Sequence, residues 1–165
     1  PHALGAAAGG RKVHARRLLE IRRLGMPYEL FSHPSDMGVR GIGATVEEAF
    51  AEAARAMFSL MADLERVEAK EAVPFAVAAE SLEDLFVRFL AELLFLRDTH
   101  GMLFSRFQLH IAREGEGFRA SGQAWGEKFD PVKHRAGIDV KAATYNWVKV
   151  EERDGTWIAQ GVVDV

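Results

Sequence analysis

The chain has 165 residues, no cysteine, and 24 Asp or Glu against 21 Lys or Arg, for a formal net charge of −3. With 48% of its residues hydrophobic, it reads as one globular domain, and no apolar run is long enough to span a bilayer. Lack of Cys excludes disulfides, thiolate zinc sites and a Cys nucleophile, and fits a reducing, cytoplasmic setting.

The charge is unevenly placed. Residues 1–25 carry Arg11, Lys12, Arg16, Arg17, Arg22 and Arg23 against Glu20 alone, a net +5, and the remaining 140 residues carry −8. An acidic body repels a polyphosphate chain, so direct nucleic-acid binding by the main domain is not expected. Residues 1–25 are read as a basic extension outside the fold, with the working domain at 26–165, beginning at Met26. An over-long start, a transit peptide and an RNA-attracting arm all fit the extension's Arg-rich, acid-poor composition.

From Met26 the elements follow in order. Tyr28 to Phe31 and Met37 to Ile42 read as two short strands around a turn at His33–Asp36. Thr45 is a good N-cap, and Glu48 completes a capping box. The helix it opens repeats Val46, Ala49, Phe50, Ala53, Met57, Leu60 and Met61 at helical spacing. Residues 66–79 read as a strand, with Val73, Phe75 and Val77 alternating. Ser81 with Asp84 caps a second helix whose stripe is Leu82, Leu85, Phe86, Phe89, Leu93 and Leu96, and Gly101 ends it.

Beyond Gly101 the period is two. Phe104 to Ala112 and Phe118 to Trp125 form a hairpin across "REGEG". A last pair, about 138–151 and 156–164, is joined by Asp154-Gly155, a favoured two-residue turn. Two helices among many strands predict a two-layer α+β domain, with a largely antiparallel sheet and both helices on one face.

The usual catalytic motifs are missing: no phosphate loop, no Gly-x-Ser-x-Gly elbow, and no pair of histidines at helical spacing. His110 alternates with apolar neighbours and reads as a satisfied strand histidine. Oxygen ligands remain. Asp36 stands at the mouth of a strand, and Asp164 ends the apolar run "GVVDV", where a carboxylate needs solvent, a partner or a cation. With a carbonyl from Val165, the two Asp make a hard donor set suited to Ca²⁺ or Mg²⁺ rather than zinc. Each is equally readable as a plain turn or chain-end residue. In "GEKFDPVKH" and the following "GIDVKAATYNWV", Glu127, Lys133, His134 and Lys141 surround an Asp130-Pro131 turn with charge, and a solvated loop accounts for that as well.

Together these segments resemble the archease family over about Met26 to Val165. "HPSDMGVRGIGATVEEAFAEAARAMFSLM" is similar to the family opening, His-Thr-Ala-Asp-(Ile/Val)-Gly-(Ile/Val) followed by a helix. "GEKFDPVKH" with "VKAATY" resembles its Gly-Glu…Pro-x-x-His segment and Val-Lys-Ala-x-Thr-Tyr strand, and "VVDV" its Asp-hydrophobic ending. Pro34-Ser35 replaces the usual Thr-Ala, and Asn146 stands where His commonly follows the Tyr.

The resemblance implies a non-catalytic activator of an RtcB-type RNA ligase, which joins 2′,3′-cyclic- or 3′-phosphate ends to a 5′-hydroxyl in tRNA splicing and RNA repair. It implies that the activator promotes ligase guanylylation and multiple turnover. It further implies a divalent cation, Ca²⁺ foremost and Mg²⁺ or Mn²⁺ as alternatives, on Asp36, Asp164 and Val165, with Lys141, Glu127 and His134 as functional contacts. Two other readings stay open: a metal-dependent phosphoester hydrolase using the same carboxylates, and a chaperone-like interaction module with a structural metal.

Overall fold

A computed structural model describes residues 27–33 and 36–165, so the expectations for the basic extension and for Pro34-Ser35 lie outside the described residues. The elements are β1 (Tyr28–His33), β2 (Asp36–Gly43), α1 (Val46–Met61), a 3₁₀ turn (Leu64–Arg66), β3 (Glu71–Ala79), α2 (Leu82–His100), β4 (Met102–Glu114), β5 (Gly117–Lys128), β6 (Ala142–Ala143), β7 (Lys149–Arg153) and β8 (Thr156–Asp164). Among the described residues no helix is long and apolar enough to cross a membrane.

The helix ends follow from their caps. Thr45 Oγ1 accepts from the Glu48 amide at 3.1 Å, and the Glu48 carboxylate accepts in turn from Ala44 N at 2.8 Å. Ser81 Oγ accepts from Asp84 N at 3.1 Å. Gly101 stops α2 in the left-handed region at φ 61, a conformation that costs a glycine nothing in sterics.

The fold is α+β with antiparallel strands and two helices, as expected. The strands divide into two sheets rather than forming one: five strands in the order β1-β2-β8-β6 with β7 also on β8, and three in the order β3-β5-β4. Both helices touch both sheets. Helix α1 lies on β1, β2 and β8 and also on β4, while α2 lies on β3, β4 and β5 and reaches β6 and β7. Phe50 of α1 meets Phe86 of α2 edge-on at 5.1 Å, and Phe58 of α1 meets Phe104 of β4 at 5.7 Å, all four rings fully buried. Burying each ring contributes roughly 1.5–3 kcal/mol. Helix α1 sits so close to β2 that a Cβ on Gly41 would fall 1.9 Å from Ala49 O, so any side chain there pushes the helix off the sheet.

Two expected strands are shorter than their sequence pattern. Asp63 Oδ1 accepts from Glu65 N at 3.2 Å and turns residues 64–66 into the 3₁₀ turn, so β3 starts only at Glu71. The 138–151 run is broken. Thr144 sends both its amide (3.0 Å) and its hydroxyl (2.7 Å) to Val162 O. Asn146 N then folds back onto Thr144 Oγ1, and Trp147 adopts φ 55. The chain thus leaves β8 after β6 and rejoins it as β7. His110 lies on β4 as expected, its side chain exposed and its Nδ1 3.6 Å from Glu47.

Candidate cation site and its flanking loop

The alternation of β2 buries Val39 against the core and leaves Asp36 to the opposite face. Strand β8 runs antiparallel beside it with Asp36 opposite Asp164, Gly38 opposite Val162 and Arg40 opposite Gln160. Directly opposed residues of an antiparallel pair project to the same face. Two carboxylates 128 positions apart in sequence are thereby neighbours at one end of the five-stranded sheet, and both are half-buried. On the other side of β8, Ala142 faces Asp164, and Lys141 N donates to Asp164 O at 2.8 Å. Lys141 is exposed and Val165 half-buried. Asp36, Asp164, Lys141 and Val165 therefore meet at the same sheet end.

Like charges directly opposite destabilise a ladder, by an amount within the roughly 0.2–1 kcal/mol range of cross-strand pairs. A divalent cation shared by the pair would turn that repulsion into attraction. Among the described residues no three His, Cys, Asp or Glu converge on one point. A cation here would accordingly take the two carboxylates and complete its shell with carbonyl oxygen or water, which suits Ca²⁺ or Mg²⁺ and not zinc. Two positions along the same face, Arg40 forms a buried ion pair with Glu29 and donates through Nε to Gln160 Oε1 at 2.9 Å. Its guanidinium lies 4.9 Å from the centre of the Phe31 ring. Burial lowers its pKa to about 10, which leaves it charged at neutral pH.

Glu127 and His134 lie elsewhere, under the loop that links β5 to β6. His134 is fully buried and Glu127 nearly so. The Glu127 carboxylate accepts from Glu68 N at 2.6 Å and from Lys133 Nζ at 2.8 and 3.0 Å. Burial alone would raise its pKa, but the Lys133 ammonium, the Glu68 amide and His134 outweigh burial and hold it at about 2. His134 Nδ1 accepts from Asp130 N at 3.0 Å, which places the neutral ring's proton on Nε2, 3.2 Å from Glu127 Oε2.

The loop is fastened along its length. Asp130 Oδ1 accepts from the amides of Val132 and Lys133. Gly137 N and Ile138 N, each at 2.8 Å, satisfy the Met61 and Leu60 carbonyls at the end of α1. Arg97, near the end of α2, donates to Val140 O at 2.8 Å and pairs with Asp139 at 3.4 Å. Glu127 and His134 thus act on anything outside the protein through the loop they fasten, whereas Lys141 reaches solvent itself. Arg97 carried no signal in the sequence, since a basic residue in the last turn of a helix is an ordinary feature.

A model of the Archease protein family (MTH1598/TM1083) matches residues 28–165. The chain is 41% identical to the protein archease of Pyrococcus furiosus over 139 residues, covering 84% of this chain and 98% of that one. It is 39% identical to that of Methanopyrus kandleri, covering 85% and 100%. The solution structure of Methanobacterium thermoautotrophicum protein 1598 superposes with a TM-score of 0.76 at 34% identity, over 85% of this chain and 99% of that one. A Thermotoga maritima archease described as a possible chaperone shares the fold, with a TM-score of 0.51 at 21% identity over 83% and 96% of the two chains.

Proposed function

The chain belongs to the archease family, and from that premise we propose that it is a non-catalytic activator of an RtcB-type RNA ligase, promoting ligase guanylylation and turnover in tRNA splicing and RNA repair. The observation that carries this reading is the β2–β8 register, which sets Asp36 against Asp164 with Lys141 immediately before the next strand. A divalent cation, Ca²⁺ foremost, would be held by Asp36, Asp164 and a Val165 oxygen, and when bound it supplies positive charge at that sheet end.

The protein's own residues do the rest. Lys141 offers an exposed side chain on the residue whose amide bonds Asp164 O. The cluster of buried Glu127 and His134 with half-buried Lys133 keeps the preceding loop in one shape. The acidic body suits a basic protein surface better than RNA, whose phosphates it repels.

Purified ligase incubated with GTP and Mn²⁺, with and without this protein, tests the reading. Ligase guanylylation should rise several-fold, and unrelated aggregation-prone clients should gain nothing. An unchanged guanylylation rate sinks the proposal. So does phosphoester hydrolysis by the protein alone that disappears in Asp36→Ala, which would make the carboxylates catalytic.

A further inference from the structure

The last turns of both helices and the β5–β6 loop enclose a cleft of about 690 Å³. Met61 and Met102 supply a buried apolar floor. Phe129 and Ile138 stand at its rim, 45% and 49% exposed. Neither rim residue is loosely held. Phe129 N donates to Gly101 O at 2.9 Å, and its ring stacks on buried His134 with centroids 6.2 Å apart. Ile138 is fixed by the hydrogen bond its amide donates to Leu60 O. Apolar side chains held in place around a concave surface mark a contact site, because only a second surface removes them from water.

The charge around the cleft narrows the occupant. Arg97 is spent internally, with Nε 2.9 Å from Asp98 and Nη1 on Val140 O. Its side chain is only 15% exposed, whereas those of Asp98 and Asp139 are 69% and 74% exposed. What the lip shows to solvent is carboxylate, on a body that is itself acidic. Lys141 lines the opposite end, so the cleft runs on into the sheet end that carries the proposed cation site.

We propose that this cleft is the docking site for the partner ligase, receiving an apolar side chain flanked by Lys or Arg that pair with Asp98 and Asp139. The proposal rests on the ligase-activator reading above and specifies where the partner sits. The cleft supplies affinity, while the carboxylate end is kept for the cation.

Binding of the full chain to purified ligase, measured by interferometry at low and high salt, tests it. Ile138→Ser should weaken binding about tenfold, as loss of a central apolar anchor does. Asp98→Lys should also weaken it and flatten its salt dependence. Both variants should keep the wild-type Ca²⁺ titration and thermal midpoint. If Ile138→Ser binds the ligase as the wild type does, the cleft is not the dock and the activator reading survives. Wild-type self-association relieved by Ile138→Ser would assign the cleft to a second copy. Direct RNA binding lost in the same variant would assign it to nucleic acid. Either result overturns the proposal, and a wild type that does not bind the ligase removes the activator reading along with it.

Discussion

Glu127 and the Asp36–Asp164 pair are carboxylates in opposite circumstances. Glu127 is ringed by donors from its own chain: an ammonium, a backbone amide and an imidazole. Asp36 and Asp164 are set against each other across two strands, where each is the wrong neighbour for the other. A carboxylate that the fold answers internally holds structure in place. A pair of like charges that the fold sets face to face marks a candidate cation site. The family's sequence pattern contains both kinds, and the sequence alone does not separate them.

The largest expected effect breaks the second kind. Asp36→Ala and Asp164→Ala should each weaken divalent-cation binding by more than the ~10–100-fold that changes outside the ligand shell already cost. The double variant should be little worse than either single one, because ligands sharing one ion act as a unit. Calorimetric titration with Ca²⁺, Mg²⁺ and Mn²⁺ checks this, and additive losses would show two independent carboxylates. Ligase stimulation should fall with the affinity.

Glu127→Ala should do the reverse. It leaves buried His134 without its carboxylate neighbour, the Glu68 amide without its acceptor and half-exposed Lys133 with Glu68 alone at 3.8 Å, at a cost of about 1–3 kcal/mol. The thermal midpoint should drop by several degrees while cation affinity holds. A cation titration that collapses along with the midpoint would show that the loop and the sheet end are one cooperative unit.

The acid limb sharpens the contrast further. Glu127 has a folded-state pKa near 2 against the ordinary 4.5. Between those values the unfolded chain binds a proton that the folded one does not. The stability Glu127 contributes is therefore fully present above about pH 4.5 and is lost as pH falls towards 2. Urea unfolding across pH 5 to 2 should show the wild type losing stability more steeply than Glu127→Gln, and parallel curves would remove Glu127 from its keystone role.

The smallest stability effect belongs to Lys141. Exposed and outside both clusters, Lys141→Ala should stay within about 0.5 kcal/mol of wild-type stability and keep its cation titration, yet lose ligase stimulation. Full stimulation in that variant would show that the ammonium is not a contact.

Much of this fold was legible because its signals are local. Thr45, Ser81 and Gly101 mark helix ends by side-chain or backbone chemistry that acts within four residues, and Asp154-Gly155 forms its two-residue turn with φ 52 and 77. The break in the 138–151 run was not legible, because it depends on Val162 O and on Arg97, both distant in sequence. The division into two sheets was hidden for the same reason. From residues alone the two Asp read equally as a hard donor set or as plain turn and chain-end residues, and only the β2–β8 register sets them opposite each other. Burial of Glu127 and His134 had no periodic signature, since polar residues that answer one another inside the protein look in sequence like a solvated loop.

Strand β8 follows every other strand in the chain, yet it is the one on which β2, β6 and β7 all pair. Contacts such as Arg40 with Gln160 close over 120 residues. The three-stranded sheet, built on the β4–β5 hairpin, needs nothing beyond Lys128. During synthesis, then, one sheet has all its strands while β1 and β2 still wait with an open edge, a state of high contact order and exposed to strand addition by other chains. The carboxylate pair comes into being with the final pairing, so no site built on it exists until β8 has docked on β2.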